Sequence, residues 1–216
     1  MVGFDRTSSH TAHGWLWSDG AYSSLPVSGT NTVAVGINSS GTIVGYRRVN
    51  FVRRLLAGQY RRSGEMGYVL SHGTTQYFNG PVHAINDLGV AAGASTSLAH
   101  AITTRLKAHA MATVFKDGIA TSILSLPSAA FGINSAGYVI GSYRAESDSR
   151  AFIWSPKSGA FDITPAGYRS AVAAAINNRG DILGYGEAAS GAPQDFLLTP
   201  DPNGELTPNA VSSSVG

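Results

Sequence analysis

The stretch GINSSGTIVGYRR (36–48) returns three times, as AINDLGVAAGAST (84–96), GINSAGYVIGSYR (132–144) and AINNRGDILGYGE (175–187). Each copy sets an Asn (Asn38, Asn86, Asn134, Asn177) three residues before one Gly and seven before a second. The Asn residues are spaced 48, 48 and 43 apart, a period that belongs to repeat architectures. Locally the copy is a hairpin. VAVGIN (33–38) alternates like a short strand, Asn-x-x-Gly is a turn in which Gly supplies positive φ, and GTIVGYR (41–47) runs back as a second strand. The second Gly (Gly45, Gly93, Gly141, Gly184) leaves room for a neighbouring backbone.

Outward from the turn, an aromatic-rich segment follows each second strand: HGWLWSDG (13–20), GYVLSHG (67–73), TVFKDG (113–118), AFIWSPKSG (151–159) and DFLLTPDPNG (195–204). A fourth short segment follows each of these: AYSSLP, TTQYFN, IATSILSL, AFDITP and ELTP. Four short strands per repeat predict an all-β, five-bladed β-propeller with four-stranded antiparallel blades. The start, MVGFDRT, matches TIVGYRR, so the first blade lacks its inner strand. The V/A/S pattern of TPNAVSSSVG (207–216) predicts that the tail supplies that strand and closes the ring, giving a single domain over 1–216.

Composition agrees with a globular β protein. Of 216 residues, 43% are hydrophobic and 13% charged, and 26 are Gly. The net charge of +2 gives no reason to expect nucleic acid as a partner. With no Cys there is no disulfide framework and no thiol nucleophile. No apolar run reaches transmembrane length, and the first residues lack the basic and apolar regions of a signal peptide.

HGWLW (13–17), RAFIW (150–154) and GINSAG (132–137) resemble the HAF-repeat proteins, a family of extracellular repeats with a His-Ala-Phe-like strand and a G-I-N-x-x-G turn. The resemblance runs over essentially the whole chain. It implies a propeller-like fold and an extracellular or periplasmic location, although the chain as given carries no export signal, which leaves the cytoplasm open. It implies no reaction. Arg150, Met66, Met111 and Gln194 stand where the first copy has His13.

In a propeller the loops between second and third strands share one rim. Three residues beyond each second-strand Gly stand Arg6, Arg48, Thr96, Arg144 and Glu187, with Arg47 beside Arg48. Arg forks match carboxylate or phosphate, so Arg6, Arg48, Arg144, Glu187 and Arg47 are the candidate ligand-binding set at an axial mouth. The bland alternative is a ring of solvated strand-end charges. Two insertions, 47–66 and 96–110, fall on the same rim. The first carries six arginines, and its Phe51, Val52, Leu55, Leu56 and Tyr60 suit a short amphipathic helix, hence a lid or a protein-docking element. The second carries His100, His109, Arg105 and Lys107.

His83 stands where the other inner strands have Val35, Phe131 and Ala174. With Tyr46 and Tyr143 it forms a candidate catalytic set for proton abstraction beside a carboxylate, as in a lyase, isomerase or cyclase. The opposing reading is a satisfied His with a backbone partner. No motif for a metal or cofactor is present. Three functions follow: a binding module of an exported protein for a carbohydrate or other anionic small ligand; an enzyme with one axial site under the insertions; or a structural, protein-interaction repeat.

Overall fold

The computed structural model of the protein describes residues 1–6, 11–29, 31–55, 58–96, 109–200 and 209–210. Every strand among them belongs to one of five antiparallel sheets, and none of these residues is helical. The chain divides into two compact units, Met1–Ala84 and Ile85–Gly216.

In the first unit, β1 (Val2–Arg6), β2 (Ala12–Ser18) and β3 (Ala21–Ser24) form one sheet. β4 (Thr32–Ile37), β5 (Ile43–Leu55), β6 (Gly58–Ser71) and β7 (Thr74–Asn79) form the next. β8 (Val82–Ile85), at the division between units, is the edge of a sheet continued by β9 (Ala91–Thr96), β10 (Ala110–Lys116) and β11 (Ile119–Ser122). The fourth sheet holds β12 (Ser128–Ile133), β13 (Val139–Ala145), β14 (Asp148–Ser155) and β15 (Gly159–Asp162). The fifth holds β16 (Tyr168–Ile176), β17 (Ile182–Ala188) and β18 (Pro193–Leu198). In each, consecutive strands are neighbours, as the repeat predicts.

The repeated residues explain this regularity. In the turn 134–138, Asn134 donates its N–H to the Tyr138 carbonyl and its side-chain Oδ1 accepts the Tyr138 N–H, while Gly137 closes the turn at φ +84°. The amide Nδ2 then reaches the next repeat. Asn86 donates to the Asn134 carbonyl at 3.0 Å, and Asn134 donates to the Asn177 carbonyl at 3.2 Å. One Asn therefore caps its own hairpin and ties it to the following one.

The second Gly faces an aromatic ring. Gly3 pairs with Trp15, Gly45 with Tyr68, Gly141 with Phe152 and Gly184 with Phe196. At Gly45 a Cβ would overlap the Val33 carbonyl and come within 2.7 Å of the Tyr68 hydroxyl, which itself donates to that carbonyl at 3.1 Å. The ring lies across the bare backbone and fills the space a side chain would take. In the third sheet the partner of Gly93 is Thr113. In three copies the residue before this position is small, and a hydroxyl accepts from its N–H: Thr32 from Gly14, Ser128 from Ala112 and Thr164 from Ala151. In the second unit the core gathers Ile140, Ile153, Ala171, Ile182 and Phe196; in the first, Ala34, Ile43, Tyr68 and Leu70.

Two expectations need correction. No closed ring is found among the described residues, and the described part of the tail pairs elsewhere than the first sheet. Asn209–Ala210 forms a short strand, β19, paired with β15 (Phe161↔Ala210, Asp162↔Asn209). Two paired residues provide little register information, and the outer edge of β15 offers open backbone groups to a weak strand. Residues 211–216 lie outside the described residues. The described residues of the 47–66 insertion are strand, not loop or helix. β5 and β6 pair continuously from Arg48↔Glu65 to Leu55↔Gly58. Val49, Phe51, Val52 and Tyr60 are strong strand formers, and extending an existing hairpin satisfies each backbone group at once. Of the second insertion, 97–108 lie outside the described residues, as does His100.

Candidate anion-binding site

β5 builds the site through its alternation. Tyr46 pairs with Val33 and Arg48 with Glu65, so these four side chains rise from one face of the second sheet. β1 ends at Arg6, opposite Ala12. Asn31, at φ 59°, joins the two sheets of this unit: its Oδ1 accepts the Ala12 N–H at 3.0 Å and its carbonyl accepts the Arg48 N–H at 3.1 Å. The result is a cavity of about 200 Å³ bordered by Arg6, Tyr46, Arg48 and Glu65 over a floor of Ala12, Asn31 and Val33. Two guanidinium groups and one carboxylate leave it one positive charge in excess.

Arg47 does not join them. As its neighbours' odd-numbered partner it points through the opposite face, where its guanidinium lies 4.6 Å from the Tyr77 ring centroid. It donates through Nη1 to the Ser28 carbonyl, and Nη2 sits 3.4 Å from Met66 Sδ. These contacts hold its guanidinium away from the cavity that Arg6 and Arg48 line.

His83 lies edge-on to Tyr46, with ring centroids 6.3 Å apart. Its counterparts Val35, Phe131 and Ala174 are each the extra residue of a β-bulge, at the shifts between Ala34/Gly36, Ala130/Gly132 and Ala173/Ala175. Bulges re-aim a side chain, which explains why the inner-strand position varies from copy to copy.

The remaining candidates belong to the second unit. Tyr143 is buried and donates to Asp162 Oδ2 at 3.1 Å. The same oxygen accepts Arg150 Nε at 2.9 Å, and Asp162 Oδ1 accepts the Thr164 N–H at 2.7 Å. Burial, reinforced by the Asp162 carboxylate and only partly offset by Arg150, pushes the Tyr143 phenol up to about 12. A hydroxyl so placed is a structural donor, held in its neutral form. Glu187 lies 3.5 Å from Arg169, which in turn lies 3.6 Å from Asp148. Arg144 is exposed, its backbone N–H bonded to the Pro127 carbonyl.

Glu65 and Asn31 escaped the reading of the sequence. Glu65 becomes a partner of Arg48 only through the register of a long hairpin, and no local pattern marks it. Among the described residues no three His, Asp or Glu side chains converge as a metal site, and no helix is long and apolar enough to cross a membrane. Compared with known proteins, the chain matches no family model and no curated sequence.

Proposed function

We propose that the protein is a binding module for a small anionic ligand, an acidic sugar or a small carboxylic acid, held in the Arg6–Arg48 cavity. The observation that carries this reading is that two sheets each bring an arginine to one cavity, Arg6 from the end of β1 and Arg48 from within β5, beside the phenol of Tyr46. Arg6 and Arg48 would grip a carboxylate, and Glu65 would take a hydroxyl or ammonium group of the same ligand. In the wider reading the five sheets are blades of a five-bladed propeller of the HAF-repeat kind in an exported protein, and the cavity belongs to its rim. The closing strand of such a ring would have to come from elsewhere than Asn209–Ala210.

We favour binding over catalysis. Tyr46 borders the cavity with His83 edge-on to it, but Tyr143 is committed to Asp162 and leaves the proposed catalytic set incomplete.

Isothermal titration with D-galacturonate, D-glucuronate and malate tests the proposal. Each charge-assisted contact is worth about 1.5–3 kcal/mol, so Arg6→Ala and Arg48→Ala should each weaken binding roughly 10- to 100-fold. Affinity should also fall with added salt. No binding by any of the three, or binding untouched by both variants, refutes it.

A further inference from the structure

The second unit holds a larger cleft, about 510 Å³, beside its Asn-x-x-Gly turns at 134–138 and 177–181. We propose that it is a second, separate site, and that it takes a neutral saccharide. Three rings border it: Tyr138, from the turn before β13; Trp154, from β14; and Phe161, from β15. Tyr138 is 42% exposed, so its ring is offered to whatever enters. Polar groups also line it: Asn178 and Arg179 of the turn before β17, and Ser158 of the turn between β14 and β15.

The charge of the cleft selects the ligand. Asp181 Oδ2 accepts Arg179 Nε at 3.0 Å and Nη2 at 2.7 Å, and also Asn177 Nδ2 at 2.7 Å. The Asn177 and Arg179 bonds hold the Asp181 carboxyl below its ordinary range, so the pair stays ionised and mutually neutralised. Arg179, 83% exposed and paired with Asp181, brings N–H donors to the edge of the cleft with its charge offset. Asn178 is fixed as well, because its Oδ1 accepts the Ser135 N–H at 3.0 Å and leaves its amide N–H groups directed away from that bond. Aromatic rings and charge-balanced donors lining one cleft suit a pyranose, which has an apolar C–H face and a rim of hydroxyls. The volume falls within the roughly 300–1,000 Å³ of ordinary ligand sites. The contrast with the Arg6–Arg48 cavity is one of charge: that cavity carries an excess positive charge, whereas the one cation lining this cleft, Arg179, is paired with Asp181 just outside it.

At the position of Tyr138 the other copies have Thr42, Val90 and Asp181, so its exposed ring is peculiar to the fourth sheet. At the position of Trp154 the first sheet has Trp17, the third Phe115, and the second and fifth Leu70 and Leu198. The repeat's own packing accounts for a ring at Trp154 but not for one at Tyr138.

The test uses cellotriose, maltotriose and chitotriose as neutral probes, with trigalacturonate as the charged comparison. Titration is followed by calorimetry and by the ¹H–¹⁵N indole resonance of Trp154. At least one neutral trisaccharide should bind and shift that resonance. Tyr138→Ala, which removes an exposed ring, should weaken binding at least tenfold, and Trp154→Phe should weaken it less. Saturating galacturonate should leave neutral binding unchanged, which separates this site from the Arg6–Arg48 cavity whether or not that cavity binds. The proposal is overturned if no neutral trisaccharide binds, if Tyr138→Ala has no effect, or if trigalacturonate binds the cleft as tightly.

Discussion

Replacing Gly141 by Ala is a direct probe of how the repeat packs. The added Cβ would overlap the Ala129 carbonyl oxygen, and would lie 2.8 Å from the Phe152 ring and 2.9 Å from the Ala130 Cα. Two of those three neighbours are backbone of the paired strand, so the ring cannot relieve the clash by turning away. Relief requires β12 and β13 to part. Forcing a methyl group into such a space costs about 1–3 kcal/mol, with rigid backbone contacts at the upper end. The lower chain entropy of unfolded Ala returns about 0.5–1 kcal/mol. A net loss of roughly 2 kcal/mol is expected, which for a chain of this size lowers Tm by about 4–8 °C. Urea unfolding followed by circular dichroism measures it. Gly137→Ala is the comparison: it has open space around it at φ +84°, so only backbone strain of about 1 kcal/mol applies. If Gly141→Ala is as stable as the parent, or costs less than Gly137→Ala, the aromatic does not lie over a bare backbone and the explanation of the repeated Gly fails.

Other perturbations reach different parts of the argument. Asn134→Ala removes the cap of one turn and the tie to the next, leaving buried backbone groups without partners, and should cost about 2–4 kcal/mol in the same assay. Asn134→Asp keeps the cap and loses the tie, so it should fall between. Tyr143 has a folded pKa of about 12 against 10 in the unfolded chain, so the folded state holds the extra proton between these values. Its stabilisation is complete below pH 10 and is lost as pH rises toward 12. Unfolding midpoints from pH 8 to 11.5 should therefore decline more steeply for the parent than for Tyr143→Phe; parallel declines would contradict the assigned bond. Asp162→Asn leaves the partly exposed Arg150 unpaired beside a buried amide and should cost about 2 kcal/mol, read by thermal unfolding.

The strands and turns were legible because each rests on local chemistry. Asn-x-x-Gly specifies a turn by itself, and alternation specifies a strand. The pairing of Gly45 with Tyr68 was not legible, because it depends on the register of two strands separated by a hairpin of variable length. The same non-local register hid Glu65 as the partner of Arg48. Phe51, Val52, Leu55 and Leu56 fit a helical stripe at spacing three and four, yet the neighbouring hairpin offered pairing partners that a lone helix lacks, and tertiary context prevailed over periodicity. Arg47 and Arg48 looked like one cluster in a string of letters; on a strand, neighbours face opposite ways. His83 stood out by comparison with Val35, Phe131 and Ala174, but only the register shifts at those three revealed a bulge.

The claim that matters most is that Arg6 and Arg48 act together on one anion. The measurement closest to it is a titration of galacturonate followed through the ¹H–¹⁵N resonances of the arginine Nε–H groups. The Arg6 and Arg48 signals should move in concert, with one dissociation constant, while those of Arg47 and Arg144 stay in place. Signals from Arg6 and Arg48 that stay fixed, or that follow different concentration dependences, would contradict it.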